Sequence, residues 1–157
     1  VEVCEPAARY GRERRGVPIE VGTLDEVDLG GSRFGAVHFS HVIEHVPSPR
    51  SFLRSVRELL LPGGLMVLVT PNTAGLQPRL FGARWRSAIA DHVHLFSRRN
   101  LVKMLSQEGF TVLQTQTWGG LGIGTAPGWI KRPVDRLAKR MGFGDVVLVL
   151  SRRSVHS

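Results

Sequence analysis

Two apolar runs flank a helical pattern in residues 34–72. The first run covers residues 34–39 and the second covers residues 65–69, and both predict strands buried on both faces of a parallel sheet. Between them, apolar residues recur at helical spacing opposite a charged face: Phe52, Leu53, Val56, Leu59 and Leu60. Pro62-Gly63-Gly64 predicts the end of this helix, because proline cannot continue it and glycine accepts left-handed angles. The segment is therefore predicted to be a right-handed βαβ unit.

Residues 42–72 also contain an ordered series of short motifs. Glu-His-Val is followed by a helix that starts at proline, then by Leu-Leu-x-Pro-Gly-Gly and Thr-Pro-Asn. This series resembles the fourth-to-fifth-strand half of class I S-adenosylmethionine-dependent methyltransferases, in particular small-molecule O-methyltransferases of the ubiquinone-biosynthesis type and bacterial glycan or lipid methyltransferases. Residues 91–97, a second amphipathic helix and Gly109-Phe110 are similar to the family's lead into its sixth strand.

The resemblance implies an α/β fold with a Rossmann-like doubly wound sheet and a final antiparallel strand. Strands are expected near residues 1–5, 19–22, 34–40, 65–70, 111–118 and 146–150. In the family, a first strand and its glycine-rich loop precede the strand that residues 1–5 resemble. We therefore expect residues 1–157 to be a partial methyltransferase domain, N-terminally truncated and lacking that strand and loop.

The resemblance also implies binding of S-adenosylmethionine through Glu5, Thr23, Leu24 and Ser40. Glu5 would end a strand, where a carboxylate can accept both ribose hydroxyls of a nucleoside. Its alternative role is that of an N-cap or first-turn acid of a helix. Thr23 and Leu24 fall where the family's chain passes the adenine, and Ser40 matches a position that touches the methionine part of the cofactor.

A glycine series at residues 120–124 superficially matches a phosphate-binding loop. Pro127 and Pro133 interrupt the helix that should follow it, and Asp145 starts the next strand, where a ribose-binding acid should end one. These mismatches favour a flexible connector.

Four histidines are candidate catalytic bases. Methyl transfer to a hydroxyl requires a positioned nucleophile and a base or a metal ion. An unperturbed histidine titrates near neutral pH and can take the hydroxyl proton. The candidates are His41, His45, His92 and His94. Because one residue separates the last two, we expect one of them to face the acceptor pocket.

His41, Glu44 and His45 are also candidate metal ligands. The ubiquinone-type relatives have an acid-x-x-Glu-His string here that is associated with a divalent metal. His41 replaces the acid, and imidazole would favour a softer ion such as zinc. In one alternative, Glu44 and His45 only cap the loop and the following helix. A second alternative, an HxxEH metallopeptidase, would need this string inside a helix, whereas here it leaves a strand and precedes two prolines.

Composition narrows the function classes. A chain of 157 residues with 42% hydrophobic residues and a mean hydropathy of -0.02 is predicted to be one soluble globular domain. No apolar run approaches the roughly 18 residues that span a bilayer, and residues 1–15 lack the apolar core of a signal peptide. Cys4 is the single cysteine, which excludes an internal disulfide, and its predicted strand favours burial. These features predict a cytoplasmic enzyme.

The net charge of +8 raises the question of anionic partners. The basic residues are spread along the chain, and the three Trp, one Tyr and seven Phe do not interleave with them, so we expect no nucleic-acid partner. Residues 129–141 combine apolar residues at helical spacing with five basic residues, which favours a helix packed on the sheet with a solvated basic face. Peripheral contact of this helix with an anionic membrane, beside a lipid-linked substrate, is the alternative.

The predicted function is methyl transfer from S-adenosylmethionine to a small molecule. The acceptor would be a hydroxyl of a sugar, a quinone precursor or a lipid-linked intermediate. The alternatives are a truncated or degenerate domain that serves as a binding module and a nucleic-acid methyltransferase. The sequence does not set the oligomeric state.

Overall fold

The computed structural model describes residues 1–121 and 127–155. The chain divides into two compact units, Val1–Arg33 and Phe34–Ser157. Within the described residues, no helix is long and apolar enough to cross a membrane.

The first unit contains one helix, α1 (Glu5–Arg15), which ends at Gly16 with a φ of 63°. The strands predicted near residues 1–5 and 19–22 are reduced to a single parallel bridge between Glu2 and Val21. Val1 and Val3 are 57% and 67% exposed, so this pairing has little apolar cover, and two paired segments alone are marginally stable. The prediction of full strands here was wrong.

Cys4 lies in a different environment from the one predicted. Its backbone is the N-cap of α1 and its side chain is exposed, so the predicted burial of this cysteine was wrong. Glu5 is the first residue of α1 and therefore a first-turn acid.

The second unit is built on a four-stranded sheet. Its strands are β1 (Phe34–Ser40), β2 (Leu60–Pro71), β3 (Phe110–Trp118) and β4 (Val146–Arg153), in the order β1-β2-β4-β3. β1 and β2 are parallel, whereas β4 runs antiparallel to both β2 and β3. The parallel βαβ unit and the final antiparallel strand are confirmed.

Within the described part of this unit, four helices connect or flank the strands. They are α2 (Pro49–Leu59), α3 (Leu76–Phe81), α4 (Arg98–Gln107) and α5 (Gly128–Arg140), and a short 3-10 turn covers Gly82–Arg84. Ser48 and Ser97 cap α2 and α4 by accepting a backbone N–H through the side-chain oxygen. Leu60, expected to be helical, begins β2, so Pro62-Gly63-Gly64 lies inside the strand instead of ending the helix.

The core lies where α2 and α4 cover the sheet. Leu53 and Leu101 from the helices and Met66 and Leu68 from β2 are completely buried. On the opposite face of β2, Leu65 and Val67 are half-buried, and most of β1 is exposed. Phe39 is the buried residue of β1, which is also an edge strand of this sheet, so the prediction that β1 is buried on both faces was wrong.

Glu108, the C-cap of α4, fastens this helix to α2. Its carboxylate is nearly buried and receives Arg50 Nη1 at 2.5 Å and Arg54 Nε at 2.8 Å. The hydrogen bond from Arg54, assisted by Arg50, lowers the pKa of Glu108 below its usual 4.5 against the opposing effect of burial. The interaction therefore stabilises the fold above the unfolded pKa and is lost as the pH falls through the folded pKa.

Glu108→Gln is expected to lower the free energy of unfolding by about 2 kcal/mol near neutral pH, because charge-assisted hydrogen bonds are lost. The difference in the free energy of unfolding between this variant and the unsubstituted protein should shrink in acid, where the side chain of residue 108 is neutral in both proteins. Urea unfolding at neutral pH and at acidic pH measures this difference. Glu58→Gln, an exposed change on α2, is the control, and an equal loss in both variants would argue against the ion pair.

Candidate active site

A sharp turn follows β1 at the carboxyl edge of the parallel pair. His41 donates its backbone N–H to the Val69 carbonyl at 2.9 Å and has a φ of 54°. Histidine enters this left-handed region more readily than most residues, but it is uncommon, and strained backbone is often kept at functional sites. Residues 42–47 follow this turn.

Glu44 anchors this turn to β2. Its carboxylate is completely buried. One oxygen lies 2.9 Å from His41 Nδ1, and the other accepts the Thr70 hydroxyl at 2.8 Å. A buried charge with partners on both oxygens holds its neighbours in a fixed arrangement. The neighbour that matters for chemistry is His45.

The imidazole of His45 is held in one tautomer. Its Nδ1 donates to the Asp91 carbonyl at 2.8 Å. A carbonyl can only accept, so the proton lies on Nδ1 and the neutral ring keeps a free lone pair on Nε2. His92 is held in the same way, because its Nδ1 donates to the Ser87 carbonyl at 2.7 Å.

His45 and His92 form a cluster with Glu44. The two rings meet edge to face with centroids 4.7 Å apart. One nitrogen of each ring and one oxygen of Glu44 all lie within 4.8 Å of one another. The cluster thus places imidazole nitrogens beside a buried carboxylate, an arrangement that can accept a proton and stabilise the resulting imidazolium.

The other two histidines have supporting positions. His94 donates its backbone N–H to the Glu44 carbonyl at 3.1 Å and its Nε2 hydrogen to the Pro47 carbonyl at 3.2 Å. His41 contacts the Glu44 carboxylate. The structure therefore brings two of the four candidate bases, His45 and His92, into one cluster. The other two, His41 and His94, form hydrogen bonds that hold the backbone and the carboxylate of this region in place.

The predicted metal set does not fit this arrangement. His41 Nδ1 and Glu44 are at hydrogen-bonding distance, and both oxygens of Glu44 already have a partner. The group that the structure brings together contains His92 in place of His41.

The residues that the resemblance assigns to the cofactor are on different elements. In the first unit, the Glu5 carboxylate is 57% exposed and lies 3.3 Å from Arg12, so its oxygens are accessible to a ribose. The Thr23 hydroxyl donates to Glu26 at 2.9 Å and Leu24 lies in the turn that follows. In the second unit, Ser40 is exposed at the carboxyl end of β1. These assignments stay predictions.

Asn72 and Asp145 were missed as organising residues. Asn72 is buried, donates to the Gly144 carbonyl at 2.8 Å and accepts the backbone N–H of Ala74 and of Arg98. Asp145 accepts the Gln77 backbone N–H at 2.8 Å, and burial raises the pKa of this carboxyl despite that bond and the nearby Arg86. The Thr-Pro-Asn motif was the sequence signal for Asn72, because a buried asparagine that follows a strand needs hydrogen-bond partners.

Part of the glycine series predicted at residues 120–124 lies outside the described residues. Gly120 and Leu121 are described, and they follow β3 next to α5.

Comparison with known proteins identifies the family. The profile of the methyltransferase domain family matches residues 3–115. A ubiquinone biosynthesis O-methyltransferase of Cereibacter sphaeroides is 38% identical over 84 residues, which cover 51% of this chain and 34% of that enzyme. One of Ruegeria pomeroyi is 38% identical over 69 residues, covering 43% and 28%. The matches thus span about a third of the length of these curated relatives.

Solved structures agree on the fold. A SAM-dependent methyltransferase of Thermotoga maritima superposes with a TM-score of 0.71 at 21% identity, covering 96% of this chain and 70% of that one. An S-adenosylmethionine-dependent methyltransferase of Mesorhizobium loti gives 0.62 at 20% identity, covering 96% and 77%. With the Rossmann-like strand order and the family profile, these findings show that the chain belongs to the class I S-adenosylmethionine-dependent methyltransferases.

Proposed function

We propose that this domain serves the transfer of a methyl group from S-adenosylmethionine to a hydroxyl of a small molecule. The observation that carries the proposal is the cluster of Glu44, His45 and His92 at the carboxyl edge of β1 and β2, in a chain of this family. Curated relatives named as O-methyltransferases favour oxygen as the methylated atom. A sugar, a quinone precursor or a lipid-linked intermediate would carry the hydroxyl.

S-adenosylmethionine, when bound, supplies an activated methyl group, so the protein mainly positions and deprotonates the acceptor. Glu5 would bind the ribose hydroxyls, Thr23 and Leu24 would lie near the adenine, and Ser40 would contact the methionine part.

The base in this proposal is His45. Its free Nε2 takes the acceptor's hydroxyl proton, and the Asp91 carbonyl keeps the ring in the tautomer that makes this possible. The imidazolium that forms lies beside the Glu44 carboxylate, which stabilises the added charge. His92 completes the cluster and fixes one side of the His45 ring through edge-to-face packing.

The proposal is tested by incubating the protein, produced from its complete reading frame, with S-adenosylmethionine that carries an isotope-labelled methyl group. A panel of sugars, hydroxylated aromatic compounds and lipid-linked intermediates supplies acceptors, and mass spectrometry locates the label. Label on an acceptor oxygen supports the proposal. Label on nitrogen or carbon alone would contradict it.

We also propose that α5 contacts an anionic membrane. Trp129 and Leu137 of this helix are 77% and 58% exposed. The basic residues Arg132, Lys139 and Arg140 are also exposed, whereas Lys131 is half-buried and paired with Asp135. A helix packed on the sheet would bury such side chains, but in α5 the buried residue is Ala138. Exposed apolar and basic residues on one helix favour the interface of an anionic bilayer.

Trp129→Ser with Leu137→Ser is expected to weaken binding to phosphatidylglycerol vesicles at least about tenfold, because each side chain loses apolar burial in the bilayer. Vesicle sedimentation measures this effect. Leu113→Ser, at an exposed position of β3, should bind as the unsubstituted protein does. Equal binding by all three proteins would remove the membrane proposal.

A further inference from the structure

A cavity of about 510 Å³ opens beside α5, and its walls are strongly basic. Arg86 lines one side, and Lys131, Arg136 and Lys139 of α5 line the other. Gly119, Gly120 and Leu121, which follow β3, contribute backbone to the wall. Asp135 is the one lining carboxylate among the described residues, so cations exceed acids by three around this cavity.

Asp135 is already used within the structure. Its Oδ1 accepts the Leu121 backbone N–H at 2.8 Å, and its Oδ2 pairs with Lys131. In the part of the chain that the structure describes, Arg86, Arg136 and Lys139 make no salt bridge. The carboxyl of Asp145 lies near Gly119 and within the electrostatic reach of Arg86, but it is buried and its pKa is raised. Three cations therefore face the cavity without an ion-pair partner.

The wall after β3 is pinned from two sides. Gln77 donates its side-chain amide to the Gly120 carbonyl, and the Leu121 N–H is bound by Asp135. A Cβ at Gly120 would come within 2.7 Å of the Asp135 carboxyl carbon, so the backbone approaches α5 as closely as glycine allows. This wall is thus fixed before a ligand binds, which lowers the entropic cost of ordering it on binding.

The charge and shape select the ligand class. One carboxylate would balance one of the three free cations, whereas a phosphate or diphosphate group carries two or three negative charges. Arg86 and Arg136 offer planar guanidinium groups, which match phosphate oxygens with paired hydrogen bonds, and Lys139 adds a point charge. We propose that this cavity binds the phosphate or diphosphate group of a ligand.

The cavity and the histidine cluster are linked by two adjacent residues of the chain. Arg86 is followed by Ser87, whose carbonyl accepts the His92 Nδ1 hydrogen. A single segment thus contributes a cation to the cavity and holds a histidine of the cluster. This shared segment points to the methyl acceptor as the carrier of the phosphate group, an inference that rests on the proposed function.

Isothermal titration with inorganic pyrophosphate tests the binding site without any methyl transfer. We expect saturable binding that Arg136→Gln or Arg86→Gln weakens at least about tenfold, because each removes charge-assisted hydrogen bonds. Arg132→Gln is the matched control, since Arg132 is an exposed arginine of the same helix that does not line the cavity. Circular dichroism verifies that each variant is folded.

Absence of saturable pyrophosphate binding, or an equal loss in Arg132→Gln, would overturn the inference. Titration with S-adenosylhomocysteine in the same samples keeps it separate from the proposed function, because either ligand can bind while the other fails. Sedimentation with phosphatidic acid vesicles distinguishes the source of the phosphate. Sensitivity of that sedimentation to Arg136→Gln and to added pyrophosphate indicates a lipid headgroup, and insensitivity indicates a water-soluble phosphate ester.

Discussion

Replacing His45 with alanine is expected to reduce the rate of methyl transfer by about a hundredfold or more, the range of general base catalysis. The reason is local, because His45 carries a free Nε2 in a tautomer fixed by the Asp91 carbonyl and lies beside the buried Glu44 carboxylate. Binding of S-adenosylhomocysteine should be nearly unchanged, since the substitution removes a proton acceptor. Initial rates at saturating cofactor, together with isothermal titration, separate the two effects.

A second histidine provides the control for this experiment. His38 lies on β1 with an exposed side chain, outside the cluster. His38→Ala should retain its turnover. If His45→Ala and His38→Ala lose activity to the same extent, or if neither does, the base assignment is wrong.

The second large effect concerns stability and is expected at Gly144. A Cβ at this position would come within 2.8 Å of the Thr117 carbonyl carbon and still closer to the backbone of Trp118. The backbone of β3 cannot move aside as a flexible side chain can, so Gly144→Ala forces the end of β3 away from the start of β4. Overpacking of this kind costs about 3 kcal/mol.

Gly144 also matters for the site, because its carbonyl accepts the Asn72 side chain and Asp145 follows it. Urea unfolding of Gly144→Ala measures the loss. Gly35→Ala on β1 is the matched control, because no atom lies within 4 Å of its added Cβ. A Gly144→Ala variant as stable as Gly35→Ala would show that the close contact between β3 and β4 is unimportant.

The sequence predicted the second unit well because its signals are local and agree with one another. Periodicity located β1, α2 and β2, and the resemblance supplied the antiparallel β4, all of which the structure contains. Two predictions were wrong for the same reason, because both depended on how much of a segment is buried. The apolar residues of β1 suggested a strand buried on both faces, and the resemblance implied full strands near residues 1–5 and 19–22, but neither signal reveals whether another layer covers a segment.

The candidate site was predicted residue by residue but not as an arrangement. His45 and His92 are far apart in sequence, and their approach depends on backbone carbonyls at Asp91 and Ser87. A carbonyl belongs to every residue, so residue type carries no signal for this role. The same holds for Thr70, whose hydroxyl binds Glu44 from the neighbouring strand.

The basic cavity shows a different limit of sequence reasoning. Its cations are scattered among the many arginines and lysines of a chain with a charge of +8, and their spread along the sequence did not indicate a common binding site. The turn after β3 and the docking of α5 convert three of them into one concave group. Tertiary geometry, which periodicity does not encode, separates these residues from the remaining basic ones.

The decisive measurement is the transfer of an isotope-labelled methyl group from S-adenosylmethionine to an acceptor, made with the product of the complete reading frame. We expect label on an acceptor oxygen, produced by the unsubstituted protein and nearly abolished in His45→Ala. Efficient labelling by His45→Ala, or the absence of any labelled acceptor although S-adenosylhomocysteine binds, would contradict it.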